Sequence, residues 1–350
     1  MLKDVGTLLH RTYLTGIRNF GVHICRSAFL PQSVSLSPLS LFFFFMLFLC
    51  VFYLLCAGAY AYRPVVIWHG MGDTCCSADS MGRMTVLLHK YLGNDTFVHS
   101  VSLAENAEED RKAGYFGQIN LQVDSICQKL AAIPELQNGY NAIGFSQGGL
   151  FLRTLLQRCN QPRMYRLITF GSPHGGVSDI PNCMNQIDPF CGMMRFLVRS
   201  GAYSEYAQKN IIPTQYYRDP LSLIDYTTKC SFLPYNNNEL QHKDSLKYKE
   251  NMLSLEKLIL IRFMQEEIVK PAQSAWFWVL NENNGLVPLE DQALYVYDWL
   301  GLRKLNETGR LEFLVAPGRH MQISDEYFEQ IVRAYLMVEP LRMVNEIQIG

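Results

Sequence analysis

One six-residue stretch, from Gly144 to Gly149, constrains the fold of this chain more than any other feature. It reads Gly-Phe-Ser-Gln-Gly-Gly, and it joins a short run at 140–143, which reads as the end of a buried strand, to a helical run at 150–156. A strand that turns so sharply into a helix needs glycine where the two backbones crowd together. The turn presents a serine hydroxyl beside the positive N-terminus of the helix. We therefore predict that Ser146 is a nucleophile.

A strand, a Gly-x-Ser-x-Gly turn and a helix together form the nucleophile elbow of α/β-hydrolases. The five-residue pattern alone is weak, and the alternative interpretation is an ordinary turn rich in glycine and serine. The flanking strand and helix favour the elbow. We predict an α/β fold of the α/β-hydrolase type, in which helices flank a mostly parallel central sheet. The 350 residues, 49% of them hydrophobic, are enough for one large domain of this kind.

A serine nucleophile needs a base, and the base needs an acid that orients it. In this fold the chain order is serine, acid, histidine, and each follows a later strand. Residues 311–316 look like the last strand, and a predicted turn after it ends in His320. Residues 257–264 look like the preceding core strand, and Glu266 and Glu267 follow it. We expect His320 to be the base and one of the two glutamates to be the acid, while the other is a surface charge.

Three other histidines compete for the role of the base. His69 comes too early for the chain order of the fold. His174 lies in a Gly-Ser-Pro-His-Gly-Gly loop after a predicted strand at 167–170, where we expect it to support the loop. His242 lies in a polar stretch and is expected to be solvated. The alternative for His320 itself is a solvated loop histidine, which its position after the last strand disfavours.

An oxyanion hole is predicted after the first strand. The apolar run at 63–68 leads into His-Gly-Met-Gly-Asp at 69–73. A glycine-rich loop at this place lets a backbone N–H approach the substrate carbonyl, and the residue after the nucleophile supplies a second N–H. We therefore expect the N–H groups of Met71 and Gln147 to form the hole. The alternative interpretation is a plain glycine turn.

Two sequence blocks resemble the palmitoyl-protein thioesterases, in particular the lysosomal type-one branch. The first runs from His69 to Cys76 and reads His-Gly-Met-Gly-Asp-Thr-Cys-Cys, and the second runs from Gly139 to Gly149. The first block is much more specific than the elbow. The similarity covers roughly residues 62–336 and continues through further segments at 80–82, 201–204, 268–271, 276–277 and 320–324.

The resemblance implies a serine hydrolase that removes long-chain fatty acyl groups from cysteine thioesters. Ser146 matches the nucleophile of the family and His320 its base, while Met71 and Gln147 match its oxyanion-hole positions. The expected substrates are S-palmitoylated proteins or peptides, with peripheral membrane contact for access to lipid. The chemistry needs no metal and no organic cofactor.

The chain departs from the family at the acid of the triad. The family has aspartate at this position, followed by a small polar residue and Ile-Val. Aligning on Ile268 and Val269 places Glu266 at the position of the aspartate. Glutamate is longer by one methylene, and it serves as the acid in other α/β-hydrolases. We keep Glu266 as the expected acid and Glu267 as its rival.

The first 61 residues are interpreted as a signal peptide. Residues 41–55 are almost uninterrupted apolar sequence, and Ala59-Tyr60-Ala61 forms an A-x-A cleavage site. An apolar segment of about fifteen residues is short for a membrane helix. The alternatives are a signal anchor, because the apolar stretch extends to Tyr62, and an upstream start codon assigned in error. We expect a mature domain at 62–336, a C-terminal tail at 337–350, and a protein of the lysosome or the extracellular space.

Cysteines and sequons agree with export. Seven of the ten cysteines follow residue 61, and their spacing cannot fix their connectivity. By resemblance, the pairs are Cys75–Cys76, Cys127–Cys159 and Cys183–Cys191, which leaves Cys230 free. A metal site at the adjacent cysteines is disfavoured, since no second ligand pair lies at zinc spacing. Asn-Asp-Thr at Asn94 and Asn-Glu-Thr at Asn306 are predicted N-glycosylation sites.

A long connection separates the strand ending at Phe170 from the one starting near Lys257. It exceeds an ordinary connection in this fold severalfold and is rich in methionine and aromatic residues. We interpret it, at about 171–256, as an inserted, mainly helical subdomain over the active site. An acyl chain gains about 0.8 kcal/mol for each CH₂ that it buries, so an apolar groove here would bind it. Alternatively, these side chains form only the core of the insertion.

Other functional classes fit the sequence less well. A net charge of −1 without a basic patch argues against a nucleic-acid partner. A lipase or another oxygen-ester hydrolase would have the same elbow, and the His69–Cys76 block is what favours a thioesterase. A non-enzymatic lipid-binding protein would not need both Ser146 and His320.

Overall fold

The structure of the chain is a computed structural model, and it describes residues 62–178 and 201–337. Several sequence-based predictions lie outside these ranges. They are the signal peptide at 1–61, the Cys183–Cys191 pair, residues 179–200 of the insertion, and the tail beyond Met337.

Six strands of the described ranges form one sheet in the order β2-β1-β3-β4-β5-β8, and every neighbouring pair is parallel. Two further strands, β6 and β7, form a small antiparallel ribbon. The strands are β1 Val65–Trp68, β2 Val98–Ser100, β3 Tyr140–Phe145, β4 Met164–Phe170, β5 Lys257–Gln265, β6 Val279–Leu280, β7 Leu286–Val287 and β8 Leu311–Arg319.

Helices connect and cover the strands. They are α1 Arg83–Leu92, α2 Ala107–Ala113, α3 Ile119–Ala131, α4 Gln147–Arg158, α5 Glu205–Asn210, α6 Leu223–Lys229, α7 Leu233–Asn236, α8 Ser245–Leu253, α9 Ala293–Val296, α10 Leu302–Glu307 and α11 Asp325–Tyr335. Short helical turns occur at Ala78–Gly82, Pro134–Leu136, Ile212–Tyr216, Ala272–Trp276 and Leu289–Asp291. A parallel sheet covered by helices confirms the predicted α/β-hydrolase fold.

Strands β1 and β3 are buried along their whole length because both faces of the sheet are covered. All four residues of β1 and all six of β3 are buried. Successive side chains point to opposite faces, so Val66 and Trp68 join one core cluster while Val65 and Ile67 join the other. Parallel strands buried on both faces are typically rich in hydrophobic residues, and β1 is an uninterrupted hydrophobic run. The loops after the carboxyl ends of these strands are therefore held on a rigid base.

The described part of the insertion is mainly helical, as the sequence predicts. Residues 201–256 contain α5 to α8 and the helical turn Ile212–Tyr216. Ile212, Tyr216, Tyr226 and Leu233 belong to the core cluster that also includes α4. Most of these apolar side chains thus pack against the hydrolase core. In residues 62–178 and 201–337, no helix is both long and apolar enough to cross a membrane.

Two disulfides occur in the described ranges. Cys75–Cys76 joins neighbouring residues after β1, and Cys127–Cys159 ties α3 to the end of α4. Arg158 reinforces the second link by contacting both carboxylate oxygens of Asp124 at 2.7 and 2.9 Å.

Cys230 is free and buried, and burial raises the pKa of its thiol to about 12. That thiol therefore stays protonated and unreactive at neutral pH.

The Cys127–Cys159 link should stabilise the fold mainly by restricting the unfolded chain. A double Cys127→Ser/Cys159→Ser variant should lose about 2–4 kcal/mol of unfolding free energy, the typical worth of a disulfide that closes a loop of this length. Urea unfolding of both proteins measures the loss. Equal denaturant slopes would show that both unfold the same surface, and an unchanged midpoint would contradict the prediction.

Candidate active site

Ser146 lies at the turn between β3 and α4 in a backbone conformation that side chains rarely adopt, with φ 51° and ψ −124°. Glycines make this turn feasible. A Cβ on Gly144 would lie 2.2 Å from the Cα of Gly149, and one on Gly148 would lie 2.3 Å from the carbonyl oxygen of Trp68. A backbone conformation like that of Ser146 costs about 1–3 kcal/mol. The turn places the serine hydroxyl at the carboxyl edge of the sheet.

A series of hydrogen bonds joins Ser146 to His320 and Glu266. The Nε2 of His320 is 3.0 Å from the Ser146 Oγ, and its Nδ1 is 2.7 Å from the Glu266 Oε2. The ionised carboxylate only accepts, so the ring proton is assigned to Nδ1. Nε2 is then free to accept the serine proton. The side chains of Glu266 and His320 are 1% and 13% exposed, which shields the series from water.

The two candidate acids take different positions. Glu266 directs one carboxylate oxygen at His320, while the other accepts backbone N–H groups from Ile268 at 2.8 Å and Val269 at 3.0 Å. Glu267 is exposed. The structure therefore brings Glu266, and not Glu267, into contact with the histidine. The backbone contacts orient the longer glutamate side chain.

His320 follows the last strand directly. The sequence predicts a turn after residue 316, and this detail is wrong, since β8 continues to Arg319. Arg319 pairs with Gln265 of β5 after an irregularity in the register near Phe263. The longer pairing brings the ends of β5 and β8 side by side, so the residues that follow them, Glu266 and His320, meet.

The loop after β1 lies against the serine. A Cβ on Gly70 would be 3.1 Å from the Cβ of Ser146, so a larger residue here would press against the serine. The side chain of Gln147 is anchored at both ends, because its Nε2 donates to the Gly114 carbonyl at 3.0 Å and its Oε1 accepts from the Tyr216 hydroxyl at 2.9 Å. The first N–H groups of a helix have no partner within it. The backbone N–H of Gln147 is therefore available to a substrate.

Two cavities adjoin Ser146 in the described ranges. We call the first the His320-side cavity. It has a volume of about 340 Å³, and its lining combines polar and apolar residues: Gly70, Met71, Gly72, Asp73, Asp79, Ser80, Met81, Arg83, Met84, Tyr115, Phe145, Ile268, Met321 and Ile323, with Ser146 and His320. The second, the narrow slot, has a volume of about 20 Å³ and is lined by Met71, Pro173, Val177, Pro213, Tyr216, Ile268 and Val269. The cavity with the histidine is thus partly polar and charged, whereas the slot is almost entirely apolar.

A buried His69–Asp110 pair supports the loop after β1. The Nδ1 of His69 is 2.8 Å from the Gly70 carbonyl oxygen, and Nε2 is 3.4 Å from the Asp110 carboxylate. Asp110 also accepts N–H groups from Cys75 at 2.9 Å and Leu103 at 2.8 Å. Both ring nitrogens face oxygen acceptors, so the doubly protonated imidazolium satisfies them best. The pair therefore joins three segments around the proposed oxyanion loop.

The pKa shifts of His69 and Asp110 both favour the ionised forms of these residues. Burial lowers the pKa of His69, but the hydrogen bonds to Asp110 and Gly70 and the charges of Asp110 and Asp73 outweigh burial and raise it above 6.5. For Asp110, burial raises the pKa, but the hydrogen bond from His69 and the N–H groups of Cys75 and Leu103 outweigh burial and lower it below 3.8. The geometry and the electrostatics thus favour the same charged pair.

His174 supports its loop, as the sequence predicts. It is fully buried, and its Nδ1 accepts a hydrogen bond from the guanidinium of Arg153 on α4 at 3.1 Å. Its Nε2 then donates to the Thr169 hydroxyl at 3.0 Å. Burial, followed by the charge of Arg153, holds the pKa of His174 well below 6.5. The ring therefore stays neutral and links α4 to β4.

His242 is half-buried instead of solvated as the sequence predicts. Its Nε2 lies 3.1 Å from the Tyr235 carbonyl oxygen.

Sequence reasoning missed Asp110 and Tyr216 as parts of the site. Asp110 lies in a run of charged residues on a short helix, and such runs usually form a solvated face. Tyr216 is one of many aromatic residues of the insertion, and its sequence neighbours give it no distinguishing role. Only the contacts with His69 and Gln147 reveal the positions of the two residues.

In the described ranges, no group of three or more His, Cys, Asp or Glu side chains could hold a metal ion.

The predicted glycosylation sites differ in accessibility. Asn94 is exposed in the turn between α1 and β2. Asn306 is half-buried near the end of α10, where its Nδ2 donates to the Tyr295 hydroxyl at 2.8 Å. A glycan at Asn306 would have to leave that contact or keep it through the remaining N–H. Both sites stay predictions.

A parallel sheet in this order, with a serine at a strand-to-helix turn bonded to a histidine and a carboxylate, defines an α/β-hydrolase. A profile of the family described as palmitoyl protein thioesterase matches residues 64–320. Palmitoyl-protein thioesterase 1 of Caenorhabditis elegans is 38% identical over 277 residues, which are 78% of this chain and 92% of the relative. The chain therefore belongs to the palmitoyl protein thioesterase family.

Other relatives show the same similarity. Palmitoyl-protein thioesterase 3 of Dictyostelium discoideum is 31% identical over 79% of this chain and 93% of the relative. A palmitoyl-protein thioesterase-dolichyl pyrophosphate phosphatase fusion of Schizosaccharomyces pombe is 35% identical over 81% of this chain. The match covers only 45% of that relative.

The His69–Asp110 pair should make stability depend on pH. A histidine whose folded pKa is raised stabilises the fold below its unfolded pKa of about 6.5, and this contribution is lost as the pH rises through the folded pKa. An aspartate whose folded pKa is lowered contributes above about 3.9. The pair therefore contributes most between about pH 4 and 6.5.

An Asp110→Asn variant should lose about 3–5 kcal/mol of unfolding free energy at pH 5.5, because a buried charge loses its partner. The loss should be clearly smaller at pH 9, where His69 sheds its proton more readily. Urea unfolding of both proteins at the two pH values gives the comparison. A loss of unfolding free energy that is the same at both pH values would rule out the charged pair.

Proposed function

We propose that this chain is a palmitoyl-protein thioesterase that hydrolyses long-chain acyl thioesters of cysteine in proteins or peptides. The observation that carries the proposal is the hydrogen-bonded series from Glu266 through His320 to Ser146, in a chain of this family. The products are a free fatty acid and a cysteine thiol. The series is expected to work with the chain's own residues, without a metal or an organic cofactor.

In the first half of the reaction, His320 acts as a general base. Its Nε2 accepts the proton of Ser146 while the serine oxygen attacks the thioester carbonyl carbon. The carboxylate of Glu266 stabilises the imidazolium that forms. The carbonyl oxygen becomes an oxyanion, and the backbone N–H groups of Met71 and Gln147 stabilise it.

The tetrahedral intermediate then expels the sulfur. The carbon–sulfur bond breaks, and the leaving thiolate takes the proton from the His320 imidazolium. A thiol has a pKa of about 8.5, so it departs more easily than an alcohol or an amine. His320 next deprotonates a water molecule, which attacks the acyl group on Ser146. The serine oxygen recovers the proton, and the fatty acid leaves.

The narrow slot is the proposed entry for the acyl chain. It starts at Ser146, its other lining residues are mostly apolar, and Pro213 and Tyr216 come from the insertion. Each methylene that is buried there gains about 0.8 kcal/mol. A slot of about 20 Å³ has to widen to admit the whole chain. This assignment retains the predicted role of the insertion over the active site.

The lysosome or the secretory route is the proposed location. The lysosomal thioesterase PPT2 homologue of Drosophila melanogaster is 27% identical over 74% of this chain. Disulfides persist in oxidising compartments, and two occur in the described ranges. The apolar segment at 41–55 is the proposed signal.

Removing the nucleophile or the base should abolish turnover and leave the fold intact. We expect Ser146→Ala and His320→Ala each to lower kcat on a palmitoyl-cysteine peptide by at least about 10³-fold, and the double variant to be little worse, because triad members act as a unit. A matched palmitoyl oxygen ester tests for a lipase: the thioesterase proposal requires a higher kcat/KM on the thioester. Near-normal turnover by either single variant would exclude the assigned roles.

The two neighbouring glutamates provide a matched pair for testing the acid. Glu266→Gln keeps the size but loses the charge that stabilises the imidazolium, and should lower kcat by up to about 10⁴-fold. Glu267→Gln should cost little, because that side chain is exposed. Glu266→Asp restores the residue expected from the family and should retain substantial activity if the loop adjusts by one methylene. The assignment to Glu266 is falsified if Glu267→Gln is the crippling change.

A further inference from the structure

The His320-side cavity has a composition that acyl binding does not explain. Beside apolar residues, its lining includes Asp73, Asp79, Ser80 and Arg83, together with His320. The narrow slot shares Ser146 with this cavity but has no charged residue in its lining. At about 340 Å³ the cavity lies within the range of small-molecule binding pockets. It is large enough for several groups of a substrate, and its polar wall suits something other than a hydrocarbon chain.

The chemistry of the proposed reaction decides which part of the substrate enters each cavity. His320 must deliver a proton to the leaving sulfur, so the leaving group has to lie on the side of the imidazole. His320 lines the His320-side cavity and does not line the narrow slot. The acyl chain then extends from Ser146 into the narrow slot. The sulfur belongs to a cysteine residue, so the polypeptide that carries this cysteine lies on the His320 side.

The cavity wall carries negative charge. Asp79 is exposed on the helical turn Ala78–Gly82, and Asp73 is half-buried. The Oδ1 of Asp73 accepts hydrogen bonds from the Thr74 N–H and the Ser80 hydroxyl, both at 2.8 Å, so its carboxylate is fixed in place. Neither bond neutralises the charge, because both donors are uncharged.

The cation in the wall does not cancel these charges. The guanidinium of Arg83 forms an ion pair with Asp325 and donates a hydrogen bond to the Ile323 carbonyl at 2.9 Å. Arg83 is thus already paired with a carboxylate outside the cavity lining. The carboxylates of Asp73 and Asp79 are left as the excess charge of the wall, and this charge attracts cations to the cavity mouth.

We propose that the His320-side cavity binds the peptide segment next to the acylated cysteine, and that Asp73 and Asp79 favour lysine or arginine in that segment. The inference rests on the proposed function, because it assigns the leaving-group side of the same reaction. Asp79 acts at the exposed rim and Asp73 deeper in the wall. Both act on the affinity and the encounter rate of the substrate, and neither takes part in the proton transfers.

Two palmitoyl-cysteine peptides that differ only in their flanking residues test the inference. One carries lysine on both sides of the cysteine and the other carries glutamate. For the unmodified protein at low salt, kcat/KM should be about three- to tenfold higher for the lysine peptide, as expected for partly exposed charge pairs. The ratio should shrink towards one as salt is raised to about 0.5 M, because salt screens exposed charges.

The variants compare charge at the rim with charge elsewhere. Asp79→Lys should bring the ratio to one or below, and Asp79→Asn should give an intermediate ratio. Glu135→Lys is the matched control: Glu135 is exposed on the helical turn Pro134–Leu136, before the amino end of β3 and thus opposite to the site. Glu135→Lys changes the net charge by the same amount as Asp79→Lys. It should keep the kcat/KM ratio that the unmodified protein shows for the two peptides. Urea unfolding of each variant verifies that it is folded.

The possible outcomes separate the two proposals. If neither peptide is hydrolysed, the proposed function fails. If both are hydrolysed with equal kcat/KM at low salt, or if Asp79→Lys and Asp79→Asn leave the ratio unchanged, the subsite assignment is overturned and the thioesterase proposal stands. A ratio that falls equally in Glu135→Lys would show steering by overall charge and would also overturn it. A loss confined to the Asp79 variants supports the subsite.

Discussion

The close contact between the Ser146 turn and its neighbouring backbones is the constraint on which the rest of the site depends. Any Cβ at Gly144, Gly148 or Gly149 would approach other atoms to within 2.0 to 2.3 Å. These contacts lock the end of β3 against the start of α4 and against β1. Since β1 leads directly into the proposed oxyanion loop, the same packing sets the distance between that loop and the nucleophile. A single larger residue would separate the two.

A second set of constraints comes from buried polar groups that have to be satisfied. Asp110 accepts hydrogen bonds from three residues, two in the loop after β1 and one before α2, and Gln147 joins the Gly114 carbonyl to the Tyr216 hydroxyl of the insertion. Leaving one such group unpaired in the interior costs about 1–3 kcal/mol. These networks therefore hold the first loop and the insertion in defined positions around the serine, where hydrophobic packing alone would allow several arrangements.

The site separates the two ends of the proposed substrate by physical character. A mostly apolar slot and a partly charged cavity that contains His320 both adjoin Ser146. A palmitoyl-cysteine has the same asymmetry, since a hydrocarbon chain and a peptide meet at the thioester. Glutamate at the acid position is compatible with this arrangement, because the N–H groups of Ile268 and Val269 fix the longer side chain.

The sequence by itself determined the fold class, the central strands, and Ser146 and His320 as the leading candidates. It could do so because uninterrupted apolar runs and the glycine turn are local signals. The family resemblance favoured Glu266 over Glu267, but only the tertiary structure showed which of them contacts His320, extended β8 to Arg319, and brought Asp110 and Tyr216 to the site. Adjacent glutamates have the same local signal, and which of them contacts a histidine 54 residues away depends on how the ends of two strands pair. Contacts between residues far apart in the chain leave no mark in local composition.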